Sequence, residues 1–155
     1  MLVTYPVNTL PYGQDTFSGQ AFGAGDFHLC GQWLNRGFFI MTSVYIPLAL
    51  LIAMFAESIF LSIGQPPEVA SLAARQVCAL LPAIYLYSCY QLLRRWLACL
   101  RQTQIPFIAI LTAFVLHQPL CVLFLFKFEW GIIGLAVAQA ISNSIALLIV
   151  VVSIW

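Results

Sequence analysis

Apolar residues run through this chain in long blocks, without the alternation of a half-buried strand, and five blocks stand out, near residues 2–22, 38–63, 72–93, 105–126 and 132–154. Each meets the ~20 residues that a helix needs to cross a ~30 Å hydrocarbon core. Short joints rich in Pro, Gly or charge separate them, among them Gly64-Gln65-Pro66-Pro67-Glu68 and Lys127-Phe128-Glu129-Trp130. The pattern predicts an all-α fold: a polytopic bundle of about five transmembrane helices, one unit over residues 1–155, with the lipid bilayer as its first partner.

The first block is the most interrupted. Pro6 and Pro11 break its helical regularity, and Asp15 and Gln20 stand where the apolar core of a secretory signal would lie. It also lacks a basic start, so the block is expected to stay in the product. Composition agrees with a membrane chain, because charged residues make up only 7% of it and hydrophobic ones 63%, against about 25% charged in a soluble domain.

Charge then orients the spans. Arg36 follows the first block, and Arg94, Arg95 and Arg101 follow the third, so the positive-inside rule puts those joints in the cytoplasm. The turns around Pro66 and Lys127, with Arg75 nearby, are left outside. Trp130 and Trp155 bracket the last span as interfacial anchors, while Trp33 and Trp96 sit near the cytoplasmic face.

Several functions find no support in the residues. Net charge is +1 with no basic patch interleaved with aromatics, so nucleic acid is not an expected partner. No phosphate-cradling Gly-rich loop with Lys-Ser/Thr and no Gly-x-Ser-x-Gly elbow occurs, so no catalytic residue and no enzyme activity are expected. Cys30, Cys78, Cys89, Cys99 and Cys121 lack paired ligand spacing, and His28 and His117 lack Cys or carboxylate partners at such spacing, so neither a metal site nor a cofactor is expected.

What remains are polar and small residues inside apolar blocks. An ionisable group in a span normally faces a protein interior or a water-filled path, which makes Asp15 and His117 candidates for a transport cavity or for ion coupling. Asp15 equally suits pinning the turn beside Gly19. Gln20 and Asn143 suit either interhelical hydrogen bonds or substrate contact, and Gln118, before Pro119, belongs with His117. Histidine titrates closest to physiological pH, so His117 is the candidate proton sensor, against packing between helices. Gly19 and Gly23 form a small-xxx-small pair, and Gly134, Ala138, Ser142 and Ala146 recur at i+4, as faces for close helix packing.

The order of motifs resembles the multidrug and toxic compound extrusion (MATE) transporters, especially their eukaryotic branch. Asp15 to Ala24 matches the family's Asp/Glu-Thr-Leu-Cys-Gly-Gln-Ala-Tyr/Phe-Gly-Ala, departing at Phe17 and Ser18. Cys30 to Arg36 is similar to Leu-Gly-x-x-Leu-Gln-Arg, Glu57 to Phe60 to Glu-Pro-Ile-Leu, and Gly64 to Ala70 to Gly-Gln-Asp-Pro-Glu-Ile-Ala. His117 to Leu120 and Gly131 to Ala138 match later positions, so nearly the whole chain is covered in order.

The resemblance implies that these are helices two to six of the twelve-helix fold, a partial N-terminal lobe without the first helix or the second lobe. It implies xenobiotic efflux, an antiport that exports organic cations or other amphipathic small molecules against entering protons or sodium ions, in the plasma or vacuolar membrane. A single incomplete lobe is expected not to transport alone, and the missing second lobe is an expected partner. Where prokaryotic relatives have Asn-x-x-x-Asp-Pro, this chain has Phe114 to Pro119 with no carboxylate, so the coupling residue is not carried over. A lipid or oligosaccharide flippase of the wider superfamily, or a non-transporting truncated membrane protein, are the alternatives. A flippase calls for cationic residues facing its cavity, and the arginines here cluster at membrane edges.

Overall fold

The computed structural model describes Thr9 and residues 11–128 and 130–154. Residues 2–8 and 10 of the predicted first span, with Pro6, therefore lie outside the described residues, as do Glu129 and Trp155. Five helices follow in order among the described residues from 11 onward: α1 Pro11–Gly23, α2 Phe27–Ser62, α3 Pro67–Cys99, α4 Gln104–Val122 and α5 Gly131–Ile154. A π-helical turn, Leu123–Lys127, extends α4. No strand is present among the described residues.

Four of these helices, with α4 counted through Lys127, are long and apolar enough to cross a membrane. At ~1.5 Å per residue, the 36-residue α2 and 33-residue α3 exceed a ~30 Å core, so their ends project beyond it. This is why α2 starts at Phe27, well before the apolar block near 38–63: its first turns include the polar Gln32, Asn35 and Arg36. A hydropathy block marks the hydrocarbon-crossing part of a helix and misses the part outside.

Three of the four joints are closed by the same backbone device. After α1, Gly25 takes φ +77° while its N–H bonds the Phe22 carbonyl and the Asp26 N–H bonds that of Ala21, both at 3.0 Å. This satisfies the orphan carbonyls at a helix end. Asp26 then opens α2 by accepting the Leu29 N–H at 2.9 Å. Gly64 (φ +86°) repeats the closure after α2, and Pro67 occupies the first turn of α3, where a missing N–H costs nothing. After α3, Arg101 adopts φ 60°, a left-handed conformation unfavourable for a residue with a Cβ.

The lobe is built on α3, which packs against α1, α2 and α5, while α4 leans on α5. One core cluster joins Tyr90, Leu93 and Leu97 of α3 to Ala109 and Ala113 of α4 and to Ala146 and Val150 of α5. A second joins Met41 and Tyr45 of α2 to Cys89 of α3. The outward faces of α2 and α4 carry exposed apolar side chains such as Phe39, Met54, Phe107 and Phe114, the surface that a lipid environment requires. All five cysteines are free thiols.

Candidate functional site

Polar groups collect at two places. The first lies inside the bundle, where α5 meets α3 and α4. α5 turns the row Gly134, Ala138, Ser142, Ala146 and Val150 inward, all buried. The approach is tightest at Gly134, where an added Cβ would stand 3.1 Å from the Phe124 carbonyl oxygen. Small side chains permit this closeness.

Asn143 stands beside that row and donates Nδ2–H to the Ala83 carbonyl at 2.8 Å, while its Oδ1 accepts from Gln139 Nε2 at 3.2 Å. The accepting carbonyl is next to Pro82, which lacks an N–H and so interrupts the ladder of α3. From the other side, Tyr45 of α2 donates its hydroxyl to the Leu81 carbonyl at 2.5 Å. The proline-interrupted turn of α3 is therefore gripped by both neighbouring helices.

His117 of α4 reaches the same seam, with Nδ1 3.1 Å from Ser142 Oγ. Ser142 spends its own proton on the Ala138 carbonyl at 2.9 Å, so its oxygen accepts from His117. The ring then carries its proton on Nδ1, and Nε2 is left to accept from the Cys121 thiol at 3.3 Å. His117 lies two residues before Pro119, in a helix that ends in the π-helical turn. Gln118, the next residue, is exposed.

The second place is the arginine-bearing end, where α1 sits on α2 and α3. Asp15 Oδ2 accepts from Arg95 Nη1 at 2.9 Å, with the two side chains 36% and 17% exposed. The Arg95 guanidinium also lies 3.8 Å over the Tyr12 ring, a favourable cation–π distance. Around this pair, the Cys99 thiol points at the Asp15 carbonyl and the Cys30 thiol at that of Ser18, both at 3.6 Å, while Trp96 Nε1 donates to the Cys30 carbonyl at 3.1 Å.

The candidate residues thus divide. His117, Ser142, Asn143, Gly134 and Ala138 share the α3–α4–α5 seam, whereas Asp15 is held at the arginine end by Arg95. Gln20, Gly19 and Gly23 are exposed on α1, with open space where a Cβ would stand on either glycine. Sequence reasoning missed Tyr45, Ala83 and the pairing role of Arg95. The carbonyls of Leu81 and Ala83 had no sequence signal, because the group that Pro82 deprives of its helical donor is the Cys78 carbonyl, one turn earlier. No group of three metal-ligating side chains occurs among the described residues.

A family model described as MatE matches residues 1–123. The chain belongs to the MatE family. Among curated relatives from Arabidopsis thaliana, Protein DETOXIFICATION 13 is 35% identical over 131 residues, covering 83% of this chain and 27% of its own length. Protein DETOXIFICATION 36 is 32% identical over 130 residues, covering 83% of this chain and 25% of its own. The crystal structure of the eukaryotic MATE transporter AtDTX14 superposes with a TM-score of 0.88 at 28% identity, covering 96% of this chain and 33% of that one. An inward-facing multidrug resistance MATE family transporter of the MOP superfamily gives 0.89 at 16% identity, covering 99% and 35%, a likeness of fold alone. This MatE chain is an integral, multi-pass membrane protein that spans about a quarter of the length of its curated relatives.

Proposed function

We propose that the chain supplies part of one lobe of a secondary active antiporter that exports organic cations or other amphipathic small molecules, coupled to entry of protons or sodium ions. The observation that carries this is the superposition of nearly the whole chain on one third of a eukaryotic MATE transporter. Alternating access needs two halves that rock about a site near the bilayer midplane, and a bundle of this size provides part of one. The α3–α5 seam suits a half that moves as a unit, because small-residue packing and the grip on the Pro82 turn resist internal shear. Within it, His117, hydrogen-bonded to Ser142 in mid-span, is the residue to which this reading gives the proton-sensing role. On this reading the arginine-bearing end faces the cytoplasm.

The test is a graft. Residues 11–154 replace the matching segment of a DETOXIFICATION relative, and efflux of a fluorescent organic cation from proteoliposomes is followed under an imposed pH or sodium gradient. Gradient-dependent efflux by the graft is expected, and His117→Gln should flatten its pH dependence while leaving expression and folding intact. A graft that folds and inserts but moves no cation under either gradient contradicts the antiporter reading. An unchanged pH profile assigns His117 to packing.

A further inference from the structure

Between α1 and α2, at the arginine-bearing end, lies a pocket of about 170 Å³ lined by Gly13, Gln14, Phe17, Trp33, Arg36, Gly37 and Ile40. Its buried amide is unsatisfied. Gln14 is only 8% exposed, yet neither amide atom has a hydrogen-bond partner among the described residues. A buried amide left this way costs about 1–3 kcal/mol, and in native proteins such a group normally finds a partner in protein, water or ligand. The side chain is seated by Gly37, where any Cβ would collide with Gln14 Oε1.

Arg36 supplies the second polar group. Its guanidinium lies 4.7 Å over the Trp33 ring and makes no ion pair with a described carboxylate. The remaining wall is apolar and flat: Phe17 and Trp33 stack at 4.5 Å and 14°, and Ile40 continues it along α2 toward the middle of the span. A fixed cation and a neutral amide at one end, with aromatic and aliphatic surface leading away from them, complement an anion carrying an apolar tail. Arg36 repels the organic cations of the proposed transport substrate, so this pocket selects a different chemistry.

We propose that this pocket binds the phosphate group of an anionic phospholipid, with Arg36 on the phosphate oxygens, the buried Gln14 side chain turning to donate its amide N–H to them, and Phe17, Trp33 and Ile40 against the glycerol and first acyl carbons. Arginine suits this role because its planar donors match phosphate geometry, and an arginine and a tryptophan at a membrane edge stand at headgroup depth. The site stands apart from the transport reading, since it needs only the described helices and a bilayer.

The full chain, purified in neutral detergent, is examined by native mass spectrometry with phosphatidylglycerol, phosphatidylcholine or inorganic phosphate. Phosphatidylglycerol should remain bound and phosphatidylcholine should bind at least tenfold more weakly. Arg36→Gln and Gln14→Leu should each weaken phosphatidylglycerol roughly tenfold, Arg36→Lys should retain part of the affinity, and Arg94→Gln, outside the pocket, should change nothing. Circular dichroism and elution volume establish that each variant folds, and the Arg36 series decides the matter if Gln14→Leu does not. Millimolar inorganic phosphate should fail to displace the lipid. Displacement would identify free phosphate, on the same anion-binding groups, and overturn the lipid assignment. Equal retention of both lipids, or full retention by folded Arg36→Gln, would overturn the site itself.

Discussion

The α3–α5 seam and the seat of α1 join helices in opposite ways. Along the seam, α5 presents Gly134, Ala138, Ser142 and Ala146, and its polar groups close on partners within the bundle: Ser142 on Ala138, His117 on Ser142, Asn143 on Ala83. At the seat of α1, an ion pair and two thiol–carbonyl contacts hold the helix, an indole N–H ties α3 to α2 beside it, and Gln14 and Ser18 Oγ stay buried without a described partner. A membrane offers no hydrophobic drive between helices, so close packing and hydrogen bonds must hold a bundle together. The seam uses both, and along the row from Gly134 to Ala146 its polar side chains are paired; Gln76 Oε1, near Ile132 at the seam's other end, is buried without a described partner. The seat of α1 keeps unspent hydrogen-bonding capacity, and there a ligand has something to gain.

Overpacking the seam should produce the largest effect. Ala138 is fully buried, so Ala138→Leu in the isolated chain should cost about 2–3 kcal/mol and lower the thermal midpoint in detergent by several degrees. Gly19→Ala, on the open face of α1, should leave the midpoint unchanged or slightly higher. Equal losses at the two positions would erase the contrast between the regions.

Breaking the seat comes next. Asp15→Ala leaves the largely buried Arg95 guanidinium without its carboxylate and should cost about 1–2 kcal/mol, reduced from a fully buried pair by the partial exposure of Asp15. In a double-mutant cycle, Arg95→Ala should cost much less when Asp15 is already gone. Additive losses would show that the pair contributes nothing as a pair. Asn143→Leu removes one interhelical hydrogen bond and should cost about 1 kcal/mol, the scale found for such bonds in membranes. The smallest expected effect is a gain: Arg101→Gly relieves a left-handed conformation and should raise stability by about 0.5–1 kcal/mol in the same thermal scan.

The sequence carried the fold in its apolar blocks, and the spans after the first one are recognisable as α2 to α5. The blocks could not show the first turns of α2, because those residues lie outside hydrocarbon and have no reason to be apolar. The Gly25-Asp26 pair does mark that start, by closing one helix and capping the next. Site residues were legible one at a time: Asp15, His117 and Asn143 each stand out as polar groups in apolar surroundings. Their partners were not, because Asp15 meets Arg95 from 80 positions away and Asn143 meets a backbone carbonyl that has no sequence signature. Arg95 also looked sufficient as an interfacial anchor, which hid its pairing.

Orientation can be checked separately by cysteine-accessibility labelling in a cysteine-free background. Position 67 should react with an impermeant reagent while positions 28 and 102 are protected. The reverse pattern would invert the bundle.

The central proposal, that this bundle is part of one lobe of a transporter and requires the rest, is tested most directly by reconstituting the purified chain alone in liposomes. Efflux of an organic cation is then measured under a pH or sodium gradient, with the oligomeric state determined on the same sample. No gradient-driven efflux is predicted from the chain alone. Robust, substrate-dependent efflux by a monomeric chain would contradict the claim.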